Sequence, residues 1–259
     1  MVIDSETERD KQRFASWCAE LSGDRGQFPP RVADDRASLW SPLVRQFADI
    51  GRDLFVGGTV GEVLQRLVFA AAEATLGAEL ASITLRQREG SLSTVSCTDE
   101  CARALDELQD RFREGPFKHA TRPGGTGVAS SADLADESSW PKFGPRAAEE
   151  GVRSVLCAGV FPRRDGGVGA LSVYSREPRG LAAANPDVGV VLAAYAATAL
   201  AGTEASKAGE LGQVQLQEPL RSLDALERAA EVLVRRRYLS AEDAYDVLRR
   251  ASGQLSSLG

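Results

Sequence analysis

The sequence predicts an α+β fold: an antiparallel sheet flanked by helices, followed by a small all-α helical hairpin. Three observations carry this. Apolar residues recur at helical spacing on either side of segments in which they alternate with period two. The alternating segments come in consecutive pairs joined by short turns, not in strand–helix–strand units, which favours antiparallel pairing. The segment 218–259 contains no alternation, only two runs of helical periodicity.

The elements follow in order. Residues 1–40 are polar, with Gly23, Gly26 and the pair Pro29-Pro30. They read as a partly flexible extension holding one short helix around Phe14, Trp17 and Leu21. From residue 41 the pattern changes, and Leu43, Phe47, Ile50 and Leu54 fall at helical intervals. A second helix follows in TVGEVLQRLVFAAAEATLG, with Thr59 as N-cap and Gly77 as stop. ASITLRQ and LSTVSC then form a hairpin about Glu89-Gly90.

Residues 99–113 return to helix, with Ala102, Leu105, Leu108 and Phe112 on one stripe. EGPFKHATRPGGTGV reads as loop followed by a short strand, and SSWPKFGPRAAEEG as a short helix ended by Gly151. A second hairpin joins RSVLCAGVFPR to GVGALSVYSRE across Arg164, Asp165 and Gly166. Asn185-Pro186 opens a long helix, proline being suited to the first helical turn. The divisions are an extension (1–40), a mixed domain (41–204), a linker or helix (205–217) and a helical segment (218–259).

Composition bounds the function. Apolar residues at 43% and charged residues at 26% exclude wholesale disorder. A net charge of −6 excludes a whole-chain nucleic-acid wrapper or membrane-surface protein, so a polyanion must be met by a local patch. Cys18, Cys97, Cys101 and Cys157 are too few and too scattered for a disulfide scaffold. MVIDSETERDKQRF lacks the basic-then-apolar order of a secretion signal. The most apolar run, Val188 to Gly202, is shorter than a bilayer span of roughly 20 residues and reads as a buried helix. A cytoplasmic location without membrane attachment is the expectation.

Three runs carry a resemblance. EGPF, DLADESSWPKFGPRAAEEGVRSVLC and GALSVYSREP, in that order, resemble the GAF domains of actinobacterial GAF–ANTAR regulators. The resemblance implies a central antiparallel sheet flanked by helices, dimerisation through those helices, and a small-ligand pocket near strands 153–161 and 168–174. Related sequences often carry Cys after E-G-P, where this chain has Phe117.

The last segment resembles an ANTAR domain, the helical RNA-binding module of transcription antiterminators. It keeps Leu220, Ser222, Leu226, Ala229, Val232, Leu233, Ala244, Tyr245, Leu248, Arg249, Arg250, Ala251 and Ser252. It departs at Leu223, usually Arg, and at Ala230-Glu231, usually Lys-Gly. The sequence ends at Gly259, where the family continues into a third helix. The function implied is a signal-responsive regulator that binds RNA hairpins. The alternative is a dimerising protein-interaction or sensor module that has lost RNA binding.

The charges of this segment can be weighed without the family. Residues 218–259 hold seven arginines and seven acidic residues, so the segment is neutral, whereas counterion release from phosphates needs local positive charge. Candidate RNA contacts are Arg228, Arg235, Arg236, Arg237, Arg249 and Arg250. Arg221, Arg228 and Arg235 lie seven apart in a row that reads as a solvated face. Asp224 and Glu231 each stand four residues before an arginine, in the favourable order for ion pairs of roughly 0.2–0.5 kcal/mol. Arg235 to Arg237 sit at a helix carboxyl end, opposing its dipole, and Ser240 with Glu242 and Asp243 suits the next amino end.

The apolar stripe of Leu223, Leu226, Ala230, Leu233 and Val234 faces Ala244, Tyr245, Leu248 and Ala251. Two such helices need a third helix, the GAF domain or a second chain to bury them, and a homodimer is the expected remedy.

No catalytic residue, metal or cofactor is expected. His119 reads as an ordinary loop histidine beside Lys118 and Arg122, and Cys97-x3-Cys101 is weak spacing for metal. RPGGTG lacks the Lys-Ser/Thr of a phosphate loop and reads as a turn.

Overall fold

The computed structural model describes residues 5–22, 42–56, 58–161, 169–205 and 218–257. The expected turn at Arg164 to Gly166, the Gly23–Pro30 stretch and most of the 205–217 linker lie outside the described residues.

Five strands form one antiparallel sheet: β1 (Leu80–Arg86), β2 (Leu92–Cys97), β3 (Val128–Ser131), β4 (Ser154–Val160) and β5 (Gly169–Ser175). Their order is β2-β1-β5-β4-β3. Central β4 and β5 are buried along their whole length, and β5 bridges the two hairpins by pairing Ile83 with Leu171 and Cys157 with Ser172. The α+β class with helices flanking an antiparallel sheet is the one the sequence predicts.

Helix α3 (Val60–Ala74) covers one face together with α7 (Pro186–Ala205). Thr59 caps α3 in a reciprocal box: its hydroxyl accepts from the Glu62 amide while the Glu62 carboxylate accepts from the Thr59 amide at 2.7 Å. The other face carries α4 (Glu100–Phe112) and α5 (Pro116–Ala120), with α6 (Phe143–Glu149) packed on α4. The segment read as loop at EGPFKHA therefore contains a one-turn helix. Pro116 starts it, and Gly115 at φ 125° makes the bend that a Cβ would block against Gln109.

A third helical layer lies outside α7. It comprises α1 (Ser5–Ser22), α2 (Pro42–Phe55), α8 (Glu218–Glu231) and α9 (Ala241–Ser256), with α8 and α9 packed on both α2 and α7. This explains the composition of α7. A helix apolar all round is one buried all round, and every residue from Val190 to Leu200 is buried between sheet and outer layer. Within that stretch Tyr195 donates to the Phe47 carbonyl at 2.6 Å and stacks on the Phe47 ring. Gly51 lets α8 come close to α2, because a Cβ there would meet the Ser222 hydroxyl at 2.5 Å. No single described helix is long and apolar enough to cross a membrane.

The outer layer bears on two expectations. The helix expected around Phe14, Trp17 and Leu21 is present and longer than expected, an 18-residue helix over Ser5–Ser22 docked on α9. Phe14 packs edge-on against Tyr245, the Tyr245 hydroxyl donates to Asp10 at 2.8 Å, and Lys11 pairs with Asp246 at 2.5 Å. Apolar Phe14 and Cys18 on one side of the helix provide the reason, since only α9 and its neighbours bury them. The apolar flanks of α8 and α9, expected to seek a second chain, are covered by α1, α2 and α7 of the same chain.

Candidate functional site

Arg221 lies in the first turn of α8. The guanidinium of this residue lies 4.8 Å from the centre of the Phe55 ring and only 8% of the residue is exposed, so the arginine row does not lie on a solvated face throughout. Burial along α8 follows Ala225, Leu226, Ala229 and Ala230, with Leu223 and Val234 half-buried at the stripe edges. The helix ends in a wider turn, Val232–Arg236, where the Arg237 amide reaches back to the Val232 carbonyl at 3.1 Å. Tyr238 takes φ 57° and is 84% exposed, and the Leu239 amide returns to the Leu233 carbonyl. Ser240 then caps α9 through the Asp243 amide at 3.1 Å, as its sequence position implies.

The six candidate arginines separate into two groups. Arg228 chelates Asp224, with Nε to the carboxylate at 3.1 Å, and its Nη1 donates to the Phe161 carbonyl at 3.2 Å. Arg236 places its guanidinium 3.9 Å from the centre of the Phe161 ring, a stacking worth about 0.5–2 kcal/mol. Its Nη1 is buried with no hydrogen-bond partner among the described residues, and burial holds the group below the usual arginine range. Arg237 pairs with Asp187 in the first turn of α7. These three bind the hairpin to the sheet-bearing domain. Arg235 pairs loosely with Glu231 at 3.8 Å and is exposed, as are Arg249 and Arg250 on α9. Asp246, four residues before Arg250, is engaged by Lys11.

The pocket expected near strands 153–161 and 168–174 is filled there by Phe117, Ala120, Cys157 and Ala170, all buried together. Beside them a polar cluster occupies the sheet face under α4. Asp106 is fully buried and accepts from Thr84 at 2.5 Å, Thr94 at 2.9 Å, Tyr174 at 3.1 Å and Gln109 at 3.3 Å. Burial pushes its carboxyl above the ordinary range despite those donors, and likewise raises the Tyr174 hydroxyl. Burial also pushes the Cys157 thiol up to about 12. Cys18, Cys97 with Cys101, and Cys157 belong to three separate clusters, and among the described residues no three metal-binding side chains converge.

A cleft of about 170 Å³ opens at the end of β1, between β2 and the α4–α5 turn. Its walls include Arg86, Leu92, Gln109, Arg113, Phe117 and Lys118. Its cations have local partners: Arg86 bonds Thr121 at 3.0 Å, Arg113 the Gly90 carbonyl at 3.3 Å, and Lys118 the Arg113 carbonyl at 3.3 Å. Gln109 forms the inner wall and links the cleft to Asp106, while its carbonyl oxygen accepts from the Phe117 amide at 2.8 Å.

The runs that carry the family resemblance have architectural work. The Glu114 carboxylate accepts from the Lys142 amide and, at 2.7 Å, from the Phe143 amide, fastening EGPF to the start of α6. Trp140 donates to His119 Nδ1 at 2.7 Å, which leaves that nitrogen unprotonated and makes its approach to the Gly115 carbonyl a contact only. His119 thus sits in α5, exposed on one side and held by Trp140 on the other, and not in a free loop. Arg153 grips Asp133 with two bonds of 2.8 and 2.6 Å, and this depresses the Asp133 carboxyl.

No family model matches the sequence, and no curated protein matches it. Among solved structures the chain is similar to a phycoerythrobilin-bound GAF domain from a cyanobacterial phytochrome. That similarity has 17% identity and a TM-score of 0.43, over 64% of this chain and 96% of the other. It is similar also to the GAF domain of a phosphoenolpyruvate-protein phosphotransferase from Coxiella burnetii, at 14% identity and a TM-score of 0.42, over 63% and 95%. A domain of a two-component sensor histidine kinase from Sinorhizobium meliloti covers 47% of this chain and 76% of its own, at 16% identity and a TM-score of 0.37.

Proposed function

We propose that this chain is a signal-responsive regulator of GAF–ANTAR type, with a sensing α+β domain and an output hairpin, α8–α9, that binds RNA stem–loops to cause antitermination. The observation that carries the reading is the seating of the hairpin on the long helix α7, which packs against the sheet with its other side. A signal that shifts the sheet therefore reaches the hairpin through one shared helix. To act, it must bind one arrangement of the two parts better than another. The cleft lined by Gln109, Arg113 and Lys118 is an entry point for a small polar signal. Arg235, Arg249 and Arg250 are exposed for phosphate contacts.

A second reading, a protein-interaction module without RNA binding, is favoured by the commitment of Arg228, Arg236 and Arg237 to contacts with the rest of the chain. Binding of a synthetic tandem stem–loop RNA, titrated against salt, separates the two. The regulator gives salt-sensitive, submicromolar binding that is lost in Arg249→Ala/Arg250→Ala. Absence of binding at low salt leaves the interaction module.

A further inference from the structure

Among the described residues, the hydrogen bond and ring contact between hairpin and sheet end meet at one corner. Gly127 leads into β3 and Phe161 follows directly on β4, so both mark the same end of the β3–β4 pair, joined where the Gly159 amide bonds the Gly127 carbonyl at 2.8 Å. Gly127 has φ 80°, and a Cβ on it would stand 3.1 Å from Val232 and 3.5 Å from Arg236. Phe161 gives its carbonyl to Arg228 and its ring to Arg236. Asp187, at the amino end of α7, takes Arg237. One turn of the hairpin is thus held at three points by backbone, ring and carboxylate.

We infer that Gly127, Phe161 and Asp187 form a latch that keeps Arg236 and Arg237 from a polyphosphate partner until the β3–β4 end of the sheet is displaced. This rests on the regulator reading and names how its output is controlled. While latched, Arg236 sits over the Phe161 ring and Arg237 has its charge matched by the Asp187 carboxylate, so neither reaches a phosphate. Released, they join Arg235 as three consecutive cations in the wider turn that follows α8. The local charge balance then turns positive where Asp187 is left behind, which supplies what counterion release requires. Polyanion binding and sensor contact compete for the same guanidiniums. A latch that is open only one-tenth of the time lowers apparent affinity about tenfold.

The test uses the full chain and two readouts. Asp187→Asn and, from the other side, Arg237→Gln each remove the ion pair, and the exchanged pair Asp187→Arg/Arg237→Asp restores it; near-ultraviolet circular dichroism checks that each folds. Amide hydrogen exchange over residues 228–240 reads the latch itself. It should quicken on the order of tenfold in either single variant and return toward the original in the exchanged pair. Heparin and the tandem stem–loop RNA read the released cations, and Asp187→Asn should bind both about tenfold more tightly. Unchanged exchange in both single variants overturns the latch. Faster exchange with tighter heparin binding but no RNA binding supports the latch and refutes the RNA reading. RNA and heparin binding as tight in the original chain as in Asp187→Asn overturns the withholding of cations while leaving the RNA reading intact.

Discussion

Replacing Asp106 tests the polar cluster under α4. In Asp106→Ala, Gln109 and Tyr174 keep one another at 3.2 Å, but the Thr84 hydroxyl, 1% exposed, loses its acceptor, as does the half-buried Thr94 hydroxyl. An unsatisfied buried hydroxyl costs about 1–3 kcal/mol, and with Thr94 partly rescued by water the total loss is about 2–4 kcal/mol. Asp106→Asn keeps the shape and lets the hydroxyls turn to accept, so it costs about 1 kcal/mol or less.

The pH dependence is the sharper consequence. Because burial raises the folded carboxyl, the unfolded chain loses this proton first as pH rises from about 4. Between the ordinary and the raised value the native state holds more protons, so the stability contributed by Asp106 falls with rising pH through that window and is flat above it. Urea melts followed by tryptophan fluorescence at several pH values, on the original chain and on Asp106→Asn, measure this. The margin of the original chain over the Asn variant should be greatest in acid and shrink as pH rises. A margin that grows with pH would mean that the four donors outweigh desolvation, and the reasoning fails. So would an Ala variant within about 0.5 kcal/mol of the original.

Two further outcomes follow from burial. Phe14→Ala removes the ring between α1 and Tyr245 and should cost roughly 2–4 kcal/mol, with the loss seen first as faster amide exchange in α9. Burial raises the Cys18 and Cys157 thiols to about 12, so in the native chain a thiol reagent should modify the half-exposed Cys97 and Cys101 alone. Mass spectrometry after brief labelling checks this, and early labelling of Cys157 would show that its cluster opens.

What could be read in the sequence was what is local. The helices at 42–55 and 60–74 and the two hairpins announce themselves by period, and the Thr59 and Ser240 caps by residue type three positions before their targets. The pairs Asp224–Arg228 and Glu231–Arg235 were legible because four residues make one helical turn. Contacts between distant segments were not. Arg237 finds Asp187 fifty positions away, Glu114 caps a helix that begins 29 residues later, and Arg221 rests on a ring from α2. Helix α5 escaped because five residues give no periodicity, and proline, lysine and histidine together look like loop. The helix in the extension was legible around Phe14, Trp17 and Leu21, but its docking was not, because its apolar side is small and Tyr245 stands 235 residues beyond Asp10.

That last separation bears on biosynthesis. Helix α1 is made long before α9, against which it packs, so its apolar side waits unburied until α9 has emerged from the ribosome. Nascent chains halted anywhere before residue 241 lack the surface that α1 needs, and offer Phe14 and Trp17 to chaperones or proteases instead. A change at Asp10 is thereby felt at Tyr245, 235 positions along the chain.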